Sequence, residues 1–474
     1  MILQILIALH VLIFCWAFYN ILYFGIKPAK SISWIFVVLF LPFVGALIFL
    51  LTGINRRKLK FIQLKEIKKR KKRNRYPFVQ EEYERSEKLE SVKARKISRN
   101  IYQNTHKPLY FDNDISILND AKKTFDILCE AMEKAEKFIH LQYYIIEEGE
   151  VFEKICGVLE KKVKKGIEVR ILYDALGSFS LSSKVKKKLK KLGIEIHPIM
   201  PLSWGSFLFT INYRNHRKIC VVDNKIAFLG GVNISDIYVS NETELAPWED
   251  AHVKIKGPAV DGIHRVFLED YFYATKEDLS EEEAYLSEPE KQGDSPVQIV
   301  ASGPDSDQHV VMQQYISFIH LAEKSVCILT PYFIPTFSVL EALKMTAASG
   351  IEVSLLLPRK TDSKLASFGM FSYFETLMES GVHIYLRDDF AHSKVLFIDD
   401  EISSIGSTNF DCRSFEHNYE INAIFFDKEK AKELRREFED IREKATKLDL
   451  EEFRKRSNWD KTCERLSRFL SPLL

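Results

Sequence analysis

Apolar and polar positions follow three rhythms along this chain. Residues 2–24 are almost wholly apolar, and a second run, 32–52, carries no charge. At ~1.5 Å rise per residue, about 20 residues cross the ~30 Å hydrocarbon layer. The two runs therefore predict transmembrane helices joined as a hairpin, with Pro42 and Gly45 as a tolerated kink in the second. A cleaved signal peptide is the other reading of the first run. It lacks a basic start and an A-x-A site, and its apolar stretch is too long.

From about residue 101 the rhythm shortens to alternating helical and extended segments. Residues 120–137 have helical spacing, 138–146 read as a strand, 151–165 as a helix and 168–174 as a strand. Residues 276–296 are acidic and rich in Glu, Ser and Pro, which suits a boundary. The series then restarts: strand 297–302, helix 308–324, strand 326–333, helix 339–348, strand 353–358, helix 365–380 and an extended run 382–387. Such alternation predicts an α/β class with mixed sheets flanked by helices. The expected organisation is a transmembrane hairpin (1–55), a basic arm and linker (56–100) and two α/β domains (101–280 and 281–474).

Charge changes the picture at one place. The whole chain carries a net +2, yet residues 56–75 hold twelve Lys or Arg and a single acid. The remainder is therefore acidic, which argues against a nucleic-acid groove. Lys27 and Lys30 are the only basic residues between the apolar runs, so the positive-inside rule places residue 56 onward in the cytoplasm. The arm reads as a topology signal or as a collector of anionic lipid, each Lys or Arg near such a surface contributing ~1 kcal/mol. Seven scattered Cys without C-x-x-C spacing argue against a disulfide framework or zinc site and for a reducing compartment. The aromatic stretch 203–211 (SWGSFLFTI) reads as core or as an apolar lip beside the site.

The candidate chemistry is duplicated. Residues 215–233, NHRKICVVDNKIAFLGGVN, hold His216, Lys218 and Asp223 in the pattern H-x-K-x4-D, then Gly230-Gly231 and Asn233. Residues 391–409, AHSKVLFIDDEISSIGSTN, hold His392, Lys394 and Asp399, then Gly406-Ser407 and Asn409. Two copies in register are an internal repeat. A neutral imidazole can attack phosphorus, and a second can move the proton of the leaving or entering oxygen. Two Lys and two Asn can hold the phosphate oxygens. On a strand, His216 and Lys218 share a face. Asp223 and Asp399, the last members of the two catalytic patterns, point away, which suits structural hydrogen bonds.

These motifs resemble the phospholipase D superfamily, and the apolar start and the ending Ser471-Pro-Leu-Leu resemble its bacterial cardiolipin synthase branch. The resemblance implies two tandem phospholipase D-like domains about a pseudo-twofold axis. It implies phosphatidyl transfer between two phosphatidylglycerols at an anionic bilayer, releasing glycerol through a phosphohistidine. His216 would be the nucleophile and His392 the acid and base, although these roles can be exchanged. Asp250 would orient His216, and Glu420 would orient His392. The run FDCRSFEHNYE also resembles the family, with Glu416-His417 departing from it and His417 expected to face solvent. The implied protein is a multi-pass bacterial membrane enzyme with cytoplasmic catalytic domains. It needs no cofactor and no metal, since two Lys bring the positive charge, and has no nucleic-acid partner. A hydrolase giving phosphatidic acid shares the motifs. A nuclease and an inactive lipid-binding protein are further alternatives.

Overall fold

The computed structural model describes the chain apart from residues 25–27, 42, 50–83, 85, 202–212, 241–247, 281, 283–284, 286–289, 307 and 471–474. The basic arm 56–75 and the aromatic stretch 203–211 lie outside the described residues.

Helices α1 (Ile2–Phe24), α2 (Pro28–Phe40) and α3 (Val44–Ile48) pack together. Ala17, Ile21, Trp34, Val38, Ala46 and Phe49 form their shared core. The predicted transmembrane hairpin is not supported: among the described residues no helix is long and apolar enough to cross a membrane. The side chains of α1 are described without interruption only over 7–22. The second apolar run is broken, because α2 ends after 13 residues and Phe43 takes φ +62° before α3 begins. Thirteen residues at ~1.5 Å make roughly 20 Å, short of a ~30 Å layer.

Helix α4 (Val92–Thr105) occupies the end of the stretch read as linker. Ser91 caps it by accepting from Ala94 N. Its buried Ala94, Ile97 and Ile101 join Val300, Val310 and Phe318 in a core that belongs mostly to the second half.

The first half runs β1 (Leu109–Leu118), α5 (Ala121–Glu133), β2 (Phe138–Tyr143), α6 (Glu150–Val163), β3 (Glu168–Asp174), α7 (Ser183–Lys191), β4 (Glu195–Ile199), β5 (Ile219–Val222), β6 (Ile226–Gly230), β7 (His252–Lys256) and α8 (Ala259–Thr275). The second runs β8 (Ser295–Ser302), α9 (Val310–Leu321), β9 (Ser325–Leu329), β10 (Phe333–Ile334), α10 (Phe337–Ala348), β11 (Glu352–Pro358), α11 (Lys364–Phe371), α12 (Phe374–Glu379) and β12 (His383–Arg387). It continues through β13 (Val395–Ile398), β14 (Ile402–Gly406), β15 (Phe410–Asp411), α13 (Cys412–Glu416), β16 (Glu420–Phe425) and α14 (Lys428–Arg442). β17 (Thr446–Lys447), α15 (Leu450–Arg454) and α16 (Asn458–Leu470) follow.

The hydrogen-bonded order of the main sheet is β17-β12-β11-β9-β13-β14-β16-β8-β1-β7-β6-β5-β2-β3-β4. Without β17 it reads alike from both ends: β8, β16, β14, β13, β9, β11 and β12 answer to β1, β7, β6, β5, β2, β3 and β4. This is the duplication seen in the motifs, now in the backbone. β2, β3 and β4 are parallel, as are β9, β11 and β12, and the remaining pairings of the main sheet are antiparallel.

The sheet turns at β1. Asp112 takes φ +63°, and the register with β8 shifts between Tyr110 and Asn113. The Asn113 side chain fills the gap, donating to the carbonyls of Tyr110 (2.9 Å) and Ser295 (3.0 Å) and accepting from Ala259 N (2.8 Å). Gly257, at φ +110°, lets the chain pass: a Cβ there would lie 2.7 Å from the Asp112 carbonyl oxygen. The two halves thereby share one inner core, with Ile219, Val221 and Leu229 beside Phe397, Ile405 and Ile421. Alternate residues on the same strands face outward under helices of each half.

Candidate active site

Each His-x-Lys segment leads into a central strand, β5 or β13, and each is stitched to the other half. His216 N donates to Tyr419 O (2.9 Å), and Tyr419 N donates to Arg214 O (2.8 Å). In the second half His392 N donates to Glu249 O (2.6 Å). The residue after each stitch is an acid, so the carboxylates cross over. Glu420 Oε2 lies 3.1 Å from His216 Nδ1, and Asp250 Oδ2 lies 2.6 Å from His392 Nδ1. This reverses the expected assignment of Asp250 to His216 and Glu420 to His392. The cause is the strand-like pairing of Asn215 with Tyr419 and of Glu249 with Ala391, which runs between halves. With Nδ1–H assigned toward the carboxylate, Nε2 of each ring keeps its lone pair for phosphorus.

The two sites differ in detail. Ser407 presents its carbonyl oxygen 3.0 Å from His216 Nδ1, and its hydroxyl donates to Glu420 Oε2 (2.5 Å). Gly231 holds the matching place in the first half, where a Cβ would come within 2.0 Å of Asp250 Oδ1. Lys218 Nζ donates to His216 O (2.7 Å) and lies 5.2 Å from the centre of the Tyr144 ring. Lys394 Nζ donates to His392 O and lies 2.7 Å from His392 Nδ1 and 3.6 Å from Asp250 Oδ2. Asn233 is committed within the protein: its Oδ1 accepts from Ile145 N (3.1 Å) and its Nδ2 donates to Tyr238 OH (3.1 Å). The buried Asn409 Oδ1 has no partner among the described residues. Aromatic rings wall both imidazoles, Tyr144 at 4.9 Å from His216 and Trp248 at 4.9 Å from His392.

A family model described as "Cardiolipin synthase, PLD-like domain" matches residues 128–256 and 315–442, so each match contains one His-x-Lys motif. A cardiolipin synthase of Geobacillus sp. (strain WCH70) is 37% identical over 457 residues, covering 94% of this chain and 89% of that protein. A probable cardiolipin synthase of Bacillus subtilis (strain 168) is 33% identical over 466 residues, covering 98% and 93%. This chain belongs to the cardiolipin synthase, phospholipase D-like family. Among solved structures, the phosphatidylserine synthase of Haemophilus influenzae Rd KW20 matches with a TM-score of 0.61 at 16% identity, covering 80% of this chain and 100% of that one. That likeness shows a common fold.

Within this cardiolipin synthase family member, the environment of the two imidazoles keeps them neutral. Burial, with Lys218 beside it, holds His216 below the ordinary imidazole range. Burial, Lys394 and Lys218 push His392 further down. Burial lifts the Asp250 carboxyl to about 6, against the pull of Lys394 and Lys218. It would lift Glu420 too, but His216, Lys218 and the Ser407 hydroxyl outweigh it and hold that carboxyl below its usual value. Burial brings Lys394 down to about 8 and Lys218 well below the usual lysine range, where the charge of Lys394 adds to the effect. An anionic phosphodiester between the two ammonium groups would restore both charges.

Asp223 and Asp399 do not join this cleft. Asp223 accepts from the backbone N–H of Glu136 (2.7 Å), Lys137 (2.8 Å) and Phe138 (2.8 Å), pinning the entry to β2. Asp399 does the same for Glu323, Lys324 and Ser325 at β9 and pairs with Lys93 of α4. They leave the catalytic set as structural clamps.

Sequence reasoning missed Arg217. It is buried between the halves, donating to Asp270 Oδ2 (2.6 Å), Ser302 O (2.9 Å) and Glu420 O (3.1 Å). Its place inside one motif, against Ser393 in the other, was the available signal. His417 is half-buried against the Tyr213 ring (5.9 Å) instead of facing solvent. Among the described residues no group of three or more His, Cys, Asp or Glu is placed to hold a metal ion.

Proposed function

We propose that the protein is a cardiolipin synthase working at an anionic bilayer, joining two phosphatidylglycerols and releasing glycerol. The observation that carries this reading is the crossed pairing, Glu420 on His216 and Asp250 on His392. It brings two neutral imidazoles, each with its own Lys and acid, into one buried site. Nε2 of His216 attacks the phosphorus of the first lipid, and the bond to glycerol breaks. His392, protonated from solvent as the anionic phosphodiester settles beside it, gives that proton to the departing glycerol oxygen and becomes neutral. The neutral His392 then takes the proton of the terminal hydroxyl of the second lipid. That oxygen attacks phosphorus and frees His216. Glu420 stabilises the positive charge that His216 acquires as the phosphohistidine forms, and Asp250 does so for protonated His392. Lys218, Lys394 and Asn409 hold the phosphate oxygens.

The N-terminal helices supply the membrane side of the reading. α1 exposes Ile7, Val11, Leu12, Trp16, Phe18 and Leu22, more apolar surface than a soluble face carries. The basic run 56–75 carries the charge that anionic headgroups attract. The test is to supply purified protein with labelled phosphatidylglycerol and resolve the products, with His216→Ala beside it. Cardiolipin and glycerol in equal amounts, both absent in the variant, support transfer. Phosphatidic acid alone means water is the acceptor and the protein is a hydrolase.

A further inference from the structure

Helix α16 (Asn458–Leu470) is amphipathic in the wrong direction for a helix on a water-soluble domain. Glu464 and Ser467, polar residues, are turned inward and only 3% exposed each. Glu464 is held there by Arg456, whose Nε and Nη2 donate to its two oxygens at 2.9 and 2.8 Å. Arg468 lays its guanidinium 4.9 Å from the Tyr373 ring. The opposite face carries Trp459, Leu466 and Phe469, exposed by 74%, 62% and 45%. Positions i, i+7 and i+10 fall on one stripe, ~15 Å long at 1.5 Å per residue.

This stripe does not end in open solvent. The Phe469 ring meets Phe36 of α2 edge-on at 6.2 Å, so the exposed face of α16 continues the exposed apolar surface of the N-terminal helices. On its other side α16 packs on α11, and α11 on β10. β10 pairs with β15, the segment directly after Asn409. The helix that carries this stripe is thus joined by packing to the second-half wall of the site.

We propose that α16 lies in the plane of the lipid bilayer, with Trp459, Leu466 and Phe469 inserted at the headgroup–acyl boundary and Arg465, exposed beside them, at headgroup level. Burying the three apolar side chains gains a favourable transfer free energy, while the Glu464–Arg456 pair fixes the helix so that this face stays outward. The surface would hold the mouth of the second half against the source of a two-chain lipid. The proposal rests on the reading that the N-terminal helices meet the bilayer.

Full-length protein in phosphatidylglycerol vesicles containing acyl-brominated lipid tests it by tryptophan quenching, comparing wild type, Trp459→Phe and Trp16→Phe. The expected result is that the share of emission lost in Trp459→Phe is the share that bromolipid quenches and aqueous iodide does not. A Trp459 share quenched by iodide and not by bromolipid overturns the proposal. A share shielded from both quenchers, with copies cross-linking through this face, means a second chain covers it and also overturns it. The Trp16 share separates the two readings. If bromolipid quenches Trp16 and not Trp459, only the α16 proposal falls; if it quenches neither, the reading of the N-terminal helices falls with it.

Discussion

Replacing Glu420 by Gln keeps the shape of a wholly buried side chain and removes its charge. Glu420 Oε2 faces His216 Nδ1 at 3.1 Å and accepts the Ser407 hydroxyl. At 3.1 Å and an effective dielectric of about 20, attraction to an imidazolium amounts to about 5 kcal/mol. Part of that is offset by desolvation, and the amide retains a neutral hydrogen bond. The expected net loss is the worth of a hydrogen bond to a charged group, about 1.5–3 kcal/mol, or about 10- to 150-fold in kcat. Site-resolved carbethoxylation read by mass spectrometry shows where the loss acts. Glu420→Gln should slow modification of His216 and leave His392 within about twofold. Asp250→Asn should do the reverse. If Glu420→Gln instead alters His392, or if kcat falls less than about threefold, the crossed pairing does not operate in the working enzyme.

Four further outcomes follow from the same geometry. Asp250 must be ionised to accept from His392, so kcat/KM should fall as pH drops through about 6; Lys394 must be protonated, so it should fall again as pH rises through about 8. Lys394→Arg should move the alkaline limb upward and leave the acid limb in place, read from the pH profile. Asp223→Asn, which sets an amide N–H against backbone donors at β2, should cost about 2–3 kcal/mol of stability and lower the melting temperature, while the folded fraction keeps its kcat. Gly231→Ala should force Asp250 aside and lower kcat at least tenfold (~1.4 kcal/mol), and the crowding of a buried site should also lower the melting temperature.

Much of the fold was legible because most segments fold by their own periodicity. The strand read at 168–174 is β3 as observed, since a short apolar run bounded by Gly166 and Gly177 suits a strand buried on both faces. Periodicity overshot where backbone chemistry interrupts it. The helix read at 365–380 divides at Ser372–Tyr373 into α11 and α12, and the strand read at 326–333 divides at Thr330–Tyr332 into β9 and β10. The apolar run 32–52 has no charge to mark its break at Phe43, so it read as one span. Within the site, the duplicated His, Lys and Asn were legible from spacing. The partners of the two imidazoles were not. Which carboxylate reaches which ring is decided by backbone pairing between segments about 200 residues apart, at His216–Tyr419, and about 140 apart, at Glu249–His392, and spacing within a motif carries no trace of it. Arg217 escaped notice for the same reason: its three acceptors lie 53, 85 and 203 residues downstream.

The central claim, that phosphatidyl transfer passes through a covalent bond to one imidazole of a crossed pair, has one direct measurement. Protein incubated briefly with phosphatidylglycerol labelled in its phosphate is quenched under alkaline-stable conditions, digested and mapped. Label should sit on the peptide containing His216, accumulate in His392→Ala because the second transfer is slowed, and be absent from His216→Ala. Label on His392 in His216→Ala protein would exchange the two roles, and full activity with no labelled histidine in any variant would contradict the covalent account itself.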